Sequence, residues 1–362
     1  MKTRILIVSL IIFVFLVLSN PLIWVLFGST HLRAKVIEQI VYKALISKLT
    51  LASSSENEKM IELFDYVDTH VFHKTNMDDS PFHVDLLKPL IRGTGYCDEQ
   101  AGTLIALAAK EKIKGRLLYL RGYDSVSHHT VCDLYIDGKF RIFDPDYGYI
   151  FFSNKEIATF FDIQKKGSKL SSEKIKALRY IKRDFDPSGY FRLYEPKHPF
   201  IVARTNYNVR FSKALRAKII DFYYEIFGDR FLIYLQDLYF KLDDVDTFVR
   251  ARIEHLSFRF QDALNNYNNI IEKNKDTLSR SEALFFEAQL FWDMKSYNNS
   301  ISAFKRLLRI YSENRWIHEV YFYLGNSYEN LSQFDKAKMY YSKIKLSQTT
   351  PAPTRLMHLL GN

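Results

Sequence analysis

The sequence predicts an α+β chain: a cysteine-bearing helix packed on an antiparallel sheet, preceded by a transmembrane helix and followed by all-α helical repeats. Three observations predict it. Residues 5–28 carry no charge, residues 97–146 read as a helix and then a β-hairpin, and a pattern recurs every 37 positions after residue 244. The 362 residues are enough for two or three domains, and 47% of them are hydrophobic, so sizeable cores can form. The net charge of +10 would suit an anionic partner, but no RNA-binding or zinc-finger signature accompanies it, so nucleic acid is not an expected partner. Two cysteines cannot build a disulfide framework, and a single Cys97–Cys132 bridge is the minor alternative to two thiols.

The N-terminus opens with Lys2 and Arg4, followed by the uncharged stretch. At about 1.5 Å per residue such a stretch can cross a hydrocarbon core of about 30 Å. It is longer than a signal-peptide core, and no small-residue cleavage site follows. A single-pass anchor over residues 1–34 is therefore expected, with the membrane as a partner and the body extracytoplasmic. Arg33, Lys35 and Lys43 argue for the opposite orientation.

The stretch GYCDEQAG follows, over residues 95–102. Cys97, Ala101, Leu104, Ile105 and Ala108 fall on one stripe of a helix, and Gly93 and Gly95 permit a sharp entry. Cys97 is thus expected in the first turn, facing whatever packs on that helix. A helix start favours thiolate, whereas Asp98 and Glu99 oppose it, so activation needs a cationic partner. SHHTVCDLYIDGKFRIFDPDYG supplies a candidate. Asp137-Gly138 is a two-residue hairpin turn, which pairs Ile136 with Lys139. Continuing that ladder puts Val131 opposite Asp144 and His129 opposite Asp146, with Asp144 a diagonal neighbour of His129. Pro145 is expected to end the ladder before Asp146. Cys97, His129 and Asp144 then form a nucleophile, a base and an orienting carboxylate. Cys132 reads as core. A metal site from His128, His129 and Cys132 is disfavoured because His129 points away from the other two, and no metal or cofactor is expected.

These segments, in this order and spacing, resemble the transglutaminase-like branch of the papain-type cysteine enzymes. ENEKMIELFDYVDTHV at residues 56–71 is similar to that family's preceding helix. The resemblance covers roughly residues 50–152 and implies a domain over 35–185. It also implies a catalytic Cys97, His129 and Asp144 acting on amide bonds of a protein or peptide substrate through a thioester. Asp98 stands where the animal enzymes often have Trp, and no side-chain oxyanion donor is legible. Some members of the family are inactive scaffolds.

KKGSKLSSEKIKALRYIKR at 165–183 sets eight basic residues against Glu173 and reads as a solvated helix face or a contact for anionic lipid or polymer. Residues 186–243 connect, and the aromatic helices within 213–240 are expected to pack beneath the first repeat.

Three repeats are expected at about 244–280, 281–317 and 318–350. In register, Ala251, Ala288 and Gly325 coincide, as do Phe260, Tyr297 and Phe334, and Ala263, Ser300 and Ala337. Each unit reads as two helices around a short break, and no unit can bury its apolar face alone. YFYLGNSYENLSQFDKAKMYYSKI in the third copy resembles the tetratricopeptide repeat. That resemblance implies a protein partner held in a concave groove, or else an array that packs on its neighbouring domain. The combined reading is a membrane-anchored peptidase, amidase or transamidase. The alternative is a catalytically idle scaffold that recruits a protein partner, including in surface-polymer assembly.

Overall fold

The computed structural model describes residues 20–53, 55–73, 87–121, 127–154, 156–166, 194, 201–206, 211–273 and 277–344. The first helices are α1 (Pro21–Phe27), α2 (Thr30–Leu49) and α3 (Glu56–His70). Among the described residues no helix is long and apolar enough to cross a membrane. This corrects the expected single-pass anchor and the extracytoplasmic placement that rested on it. The described end of that stretch is a seven-residue helix. It is capped at the start by the Asn20 side chain and interrupted at Gly28, which adopts an extended backbone. It packs on α2 and on two later helices, α7 (Phe211–Phe227) and α8 (Asp229–Leu242), with Val25 fully buried. Residues 1–19 lie outside the described residues.

Helix α3 has a full capping box. The Ser55 hydroxyl accepts from Glu58 N–H, and the Glu58 carboxylate accepts from Ser55 N–H, each at 3.2 Å. Then come β1 (Phe72–His73), α4 (Lys88–Arg92), β2 (Thr94–Gly95) and α5 (Cys97–Ala108). Strands β1 and β2 pair in parallel, so His73 lies beside Gly95. A four-stranded antiparallel sheet follows, in the order β5-β4-β3-β8, from β3 (Gly115–Arg121), β4 (Ser127–Ile136), β5 (Lys139–Phe143) and β8 (Ile201–Asn206). Between β5 and β8 lie the short pair β6 (Phe152–Ser153) and β7 (Glu156–Ile157), and then α6 (Phe160–Lys166). Most of the basic stretch at 165–183 lies outside the described residues.

The alternation read from the sequence sorts the sheet onto two cores. Cys132, Leu134 and Ile136 join Leu104, Ile105 and Ala108 of α5, whereas Leu118, Leu120, Val131 and Ile142 join Tyr149 and Phe151 on the other side. Both cysteines are free thiols, which disposes of the Cys97–Cys132 bridge.

The C-terminal third is three helix pairs: α9 (Thr247–Leu256) with α10 (Phe260–Lys273), α11 (Thr277–Asp293) with α12 (Tyr297–Ile310), and α13 (Ile317–Asn330) with α14 (Phe334–Tyr341). The 37-residue period also appears in the backbone. Phe258, Lys295 and Ser332, one in each break, all have positive φ, at 60°, 57° and 58°. Each left-handed residue turns the chain back on itself between the paired helices. Ala251, Ala288, Ala263, Ser300 and Ala337 are fully buried where helices meet. At Gly325 the ring of Tyr341 occupies the space a Cβ would need. Helix α8 touches the first pair, since Gln236 donates to the Ser257 hydroxyl at 2.6 Å.

The first helix of each pair faces the α+β part of the chain. Arg252 of α9 is fully buried and donates to the carbonyls of Ile91 and Leu90 at 3.0 and 2.6 Å. The Tyr323 hydroxyl of α13 donates to the Thr69 carbonyl at 2.6 Å. Phe72 lies edge-on to both Trp316 and Tyr323. The surface that would meet a partner in a free-standing array is therefore covered here by the chain's own α3, α4 and β1.

Candidate active site

Cys97 is the first residue of α5, half-buried, with Tyr96 at the N-cap. The stripe behind it is in the core, with Ala101, Leu104, Ile105 and Ala108 all buried. The entry is tight. Gly93 sits at φ +70°, and a Cβ there would lie 2.9 Å from the Phe286 ring. Of the two acids expected to oppose a thiolate, Glu99 is already engaged. It accepts from Tyr96 N–H at 3.1 Å and from Arg92 at 2.8 and 2.9 Å. Asp98 remains exposed, and its carboxylate accepts from Glu99 N–H at 3.0 Å.

The hairpin register agrees with the Asp137-Gly138 turn. Ile136 pairs with Lys139, Leu134 with Arg141 and Cys132 with Phe143. The ladder then stops one pair earlier than the sequence suggests. Asp144 does not pair with Val131; it bridges to Tyr149 across a turn, with reciprocal backbone bonds of 3.0 and 2.9 Å. On its other side His129 pairs with Leu120 of β3. The side chains nevertheless meet. His129 Nε2 donates to Asp144 Oδ2 at 2.7 Å, and both residues are almost wholly buried. A carboxylate only accepts, so the Nε2 atom carries the proton. That leaves Nδ1 without a proton in the neutral ring, and the Cys97 side chain is among the groups that favour its gaining one. The side chain of His128 lies outside the described residues.

Burial alone would lower the His129 pKa. The charge of Asp144, the hydrogen bonds with Asp144 and Cys97, and the charge of Asp146 overcome it and hold the imidazole well above its usual value. The cationic form is thus favoured beside a sulfur at a helix start. Tyr147 stands edge-on to the ring at 4.8 Å, and its own N–H donates to Asp144 Oδ1 at 3.1 Å, which fixes the second carboxylate oxygen. Cys132 is fully buried, and burial pushes its thiol well up, as suits a core residue.

Sequence reasoning placed Asp146 opposite His129 without giving it a partner, and it passed over His73 and Gln100. Asp146 Oδ1 accepts from His73 Nδ1 at 2.6 Å and from Gln100 Nε2 at 2.9 Å. The Gln100 amide also donates to the Gly95 carbonyl at 3.1 Å. The only sequence signal was Gln100 itself, an amide on the buried side of a helix, three residues after the cysteine. Among the described residues no group of three or more His, Cys, Asp or Glu could hold a metal ion.

The tetratricopeptide repeat family model matches residues 281–314 and 318–345, which are the second and third helix pairs. The first pair repeats their geometry but is not matched. No curated protein and no solved structure matches the chain. The repeat match is consistent with protein binding.

Proposed function

We propose that the chain is a thiol acyl-transfer enzyme of the transglutaminase-like kind. Cys97 would be its nucleophile, His129 its base and acid, and Asp144 its orienting carboxylate. The observation that carries the reading is the His129 ring, held by Asp144 at Nε2, with Asp146 beside Nδ1 and with Cys97, the first residue of α5, among the groups that favour its cation. An imidazole in that position takes the thiol proton and stays beside the thiolate as its counter-cation. The sulfur attacks an amide carbonyl and the carbonyl oxygen becomes an oxyanion. The first amides of α5 have no partner within the helix, and the Cys97 N–H among them can donate to that oxygen. His129 then gives its proton to the departing amine, leaving a thioester. Water resolves it to an acid, giving a peptidase or amidase, and a second amine resolves it to a new amide, giving a transamidase. The substrate class is a protein or peptide.

A scaffold reading draws support from the repeat match. In that reading a protein partner is bound on surfaces other than the covered first-helix face, and the Cys97–His129 pair is idle.

Alkylation of Cys97, located by mass spectrometry, separates the two. At one fixed, mildly acidic pH the wild-type thiol should react about tenfold faster than in His129→Ala, because the ring takes its proton. Equal rates would reject the enzyme reading.

A further inference from the structure

We propose that Asp146 is a positioning residue that acts on the sulfur through His129, completing the site from the side opposite Asp144. The inference rests on the thiol-enzyme reading above.

Asp144 accepts from His129 Nε2, so Nδ1 is the nitrogen that gains a proton when the thiol ionises. The Asp146 Oδ2 atom lies 3.8 Å from that same Nδ1. The distance is too long for a hydrogen bond, yet a fully buried carboxylate that close strongly favours the cation. Asp144 therefore fixes the ring at its permanent N–H, and Asp146 faces the nitrogen whose charge changes. Asp146 also opposes the thiolate, as any second carboxylate would, so its usefulness depends on its standing nearer the ring cation than the sulfur.

Its other oxygen holds it there. Oδ1 accepts from His73 Nδ1 and from Gln100 Nε2, and Gln100 spends its second N–H on the Gly95 carbonyl. One carboxylate thus ties β1, the β2 end and the first turn of α5 to the loop after β5. These are the segments that set where Cys97 stands relative to His129. The groups facing Asp146 are His73 from β1, Gln100 from α5 and His129 from β4. Asp144 is its near neighbour in the loop, and its charge acts on the same ring.

The test is a double-mutant cycle in the full chain, with Cys97 alkylation at about pH 6 as the readout. Asp146→Asn keeps the shape and removes the charge. It should slow the reaction about tenfold, and it should have no effect in a His129→Ala background, since the route through the ring is gone. Gln100→Met frees the carboxylate from the helix and should slow the reaction with the same dependence on His129. It decides the matter if Asp146→Asn loses its near-ultraviolet circular dichroism. An Asp146→Asn rate equal to wild type, or an equal slowing with and without His129, would overturn the proposal. The enzyme reading fails on a different result, equal rates for wild type and His129→Ala.

Discussion

Arg252 donates to the main-chain carbonyl of Ile91 across 161 positions of sequence, joining the first repeat helix to the segment that leads into Cys97. The same guanidinium reaches the Leu90 carbonyl and lies 3.8 Å from the centre of the Phe286 ring. The array is therefore a support for the entry of α5. Through Phe72, Gly93 and the Leu90 and Ile91 carbonyls it grips β1 and the α4 segment that precede the thiol helix.

Replacing Arg252 by Met keeps the apolar stem and strands two buried carbonyls. Each costs about 1–3 kcal/mol, so Arg252→Met should lower stability by about 2–6 kcal/mol in denaturant unfolding. It should also slow Cys97 alkylation, because the segment over residues 90–95, from α4 into β2, loses its anchor. A stable variant with an unchanged alkylation rate would show that the array does not support the site.

A second link across this junction depends on pH. Asp293 accepts from His70 Nε2 at 2.9 Å and from His255 Nε2 at 2.7 Å. Burial, opposed by the Asp293 hydrogen bond and charge, brings His255 down to about 4. Burial would raise Asp293, but the His70 charge and the two imidazole hydrogen bonds hold its carboxyl far below the usual range. Both shifts are depressions. Their stabilisation is complete above about pH 6.5, the ordinary imidazole value, and His255's share is lost as pH falls through about 4. Trp292 and Trp316 flank the junction, so their fluorescence should shift to the red in that acid window. In Asp293→Asn the change should begin at higher pH. Identical acid transitions in the two proteins would contradict this.

Glu319 in α13 behaves in the opposite sense. Burial pushes its carboxyl up to about 8, against only a backbone hydrogen bond and the Arg315 charge. A raised acid contributes stability that is complete below its unfolded value near 4.5 and is lost as pH rises towards 8. Glu319→Gln should therefore melt higher than wild type at about pH 9 and close to it at about pH 4. Thermal melts at both values test the sign; a variant less stable at the alkaline end would refute it.

Gly325→Ala places a methyl group where the Tyr341 ring lies, so α13 and α14 must part or the ring must turn. Overpacking of this kind costs about 1–3 kcal/mol. Hydrogen exchange should quicken in α14 first, leaving α9 to α12 protected. Uniform loss of protection would mean that the last pair does not unfold separately.

The local structure was legible in the sequence and the long-range contacts were not. Asp137-Gly138 gave the hairpin and its register as far as Cys132–Phe143. It could not reveal that Asp144 leaves the ladder to bridge Tyr149, because that choice is made by the following turn. The aromatic and small residues spaced by 37 gave the repeats, since each copy presents the same residue to its neighbour. Which face of the array would be covered depended on Arg252 and Tyr323 finding partners more than 150 positions away. His73 and Gln100 were missed for the same reason, since only tertiary folding brings them to Asp146. The apolar N-terminal run read as a membrane span, but its described end folds as α1 against α2, α7 and α8. Apolar composition by itself does not tell a lipid-facing helix from one covered by protein.

The most direct test of the central claim is the ultraviolet thiolate absorbance of Cys97, taken as the difference between wild type and Cys97→Ser through a pH titration. A sulfur paired with a cationic His129 should show a thiolate signal that depends on the ring, present in the wild type and lost at the same pH in His129→Ala. A signal that rises only around pH 8.5 or above, unchanged by His129→Ala, would mean an ordinary thiol and would contradict the account.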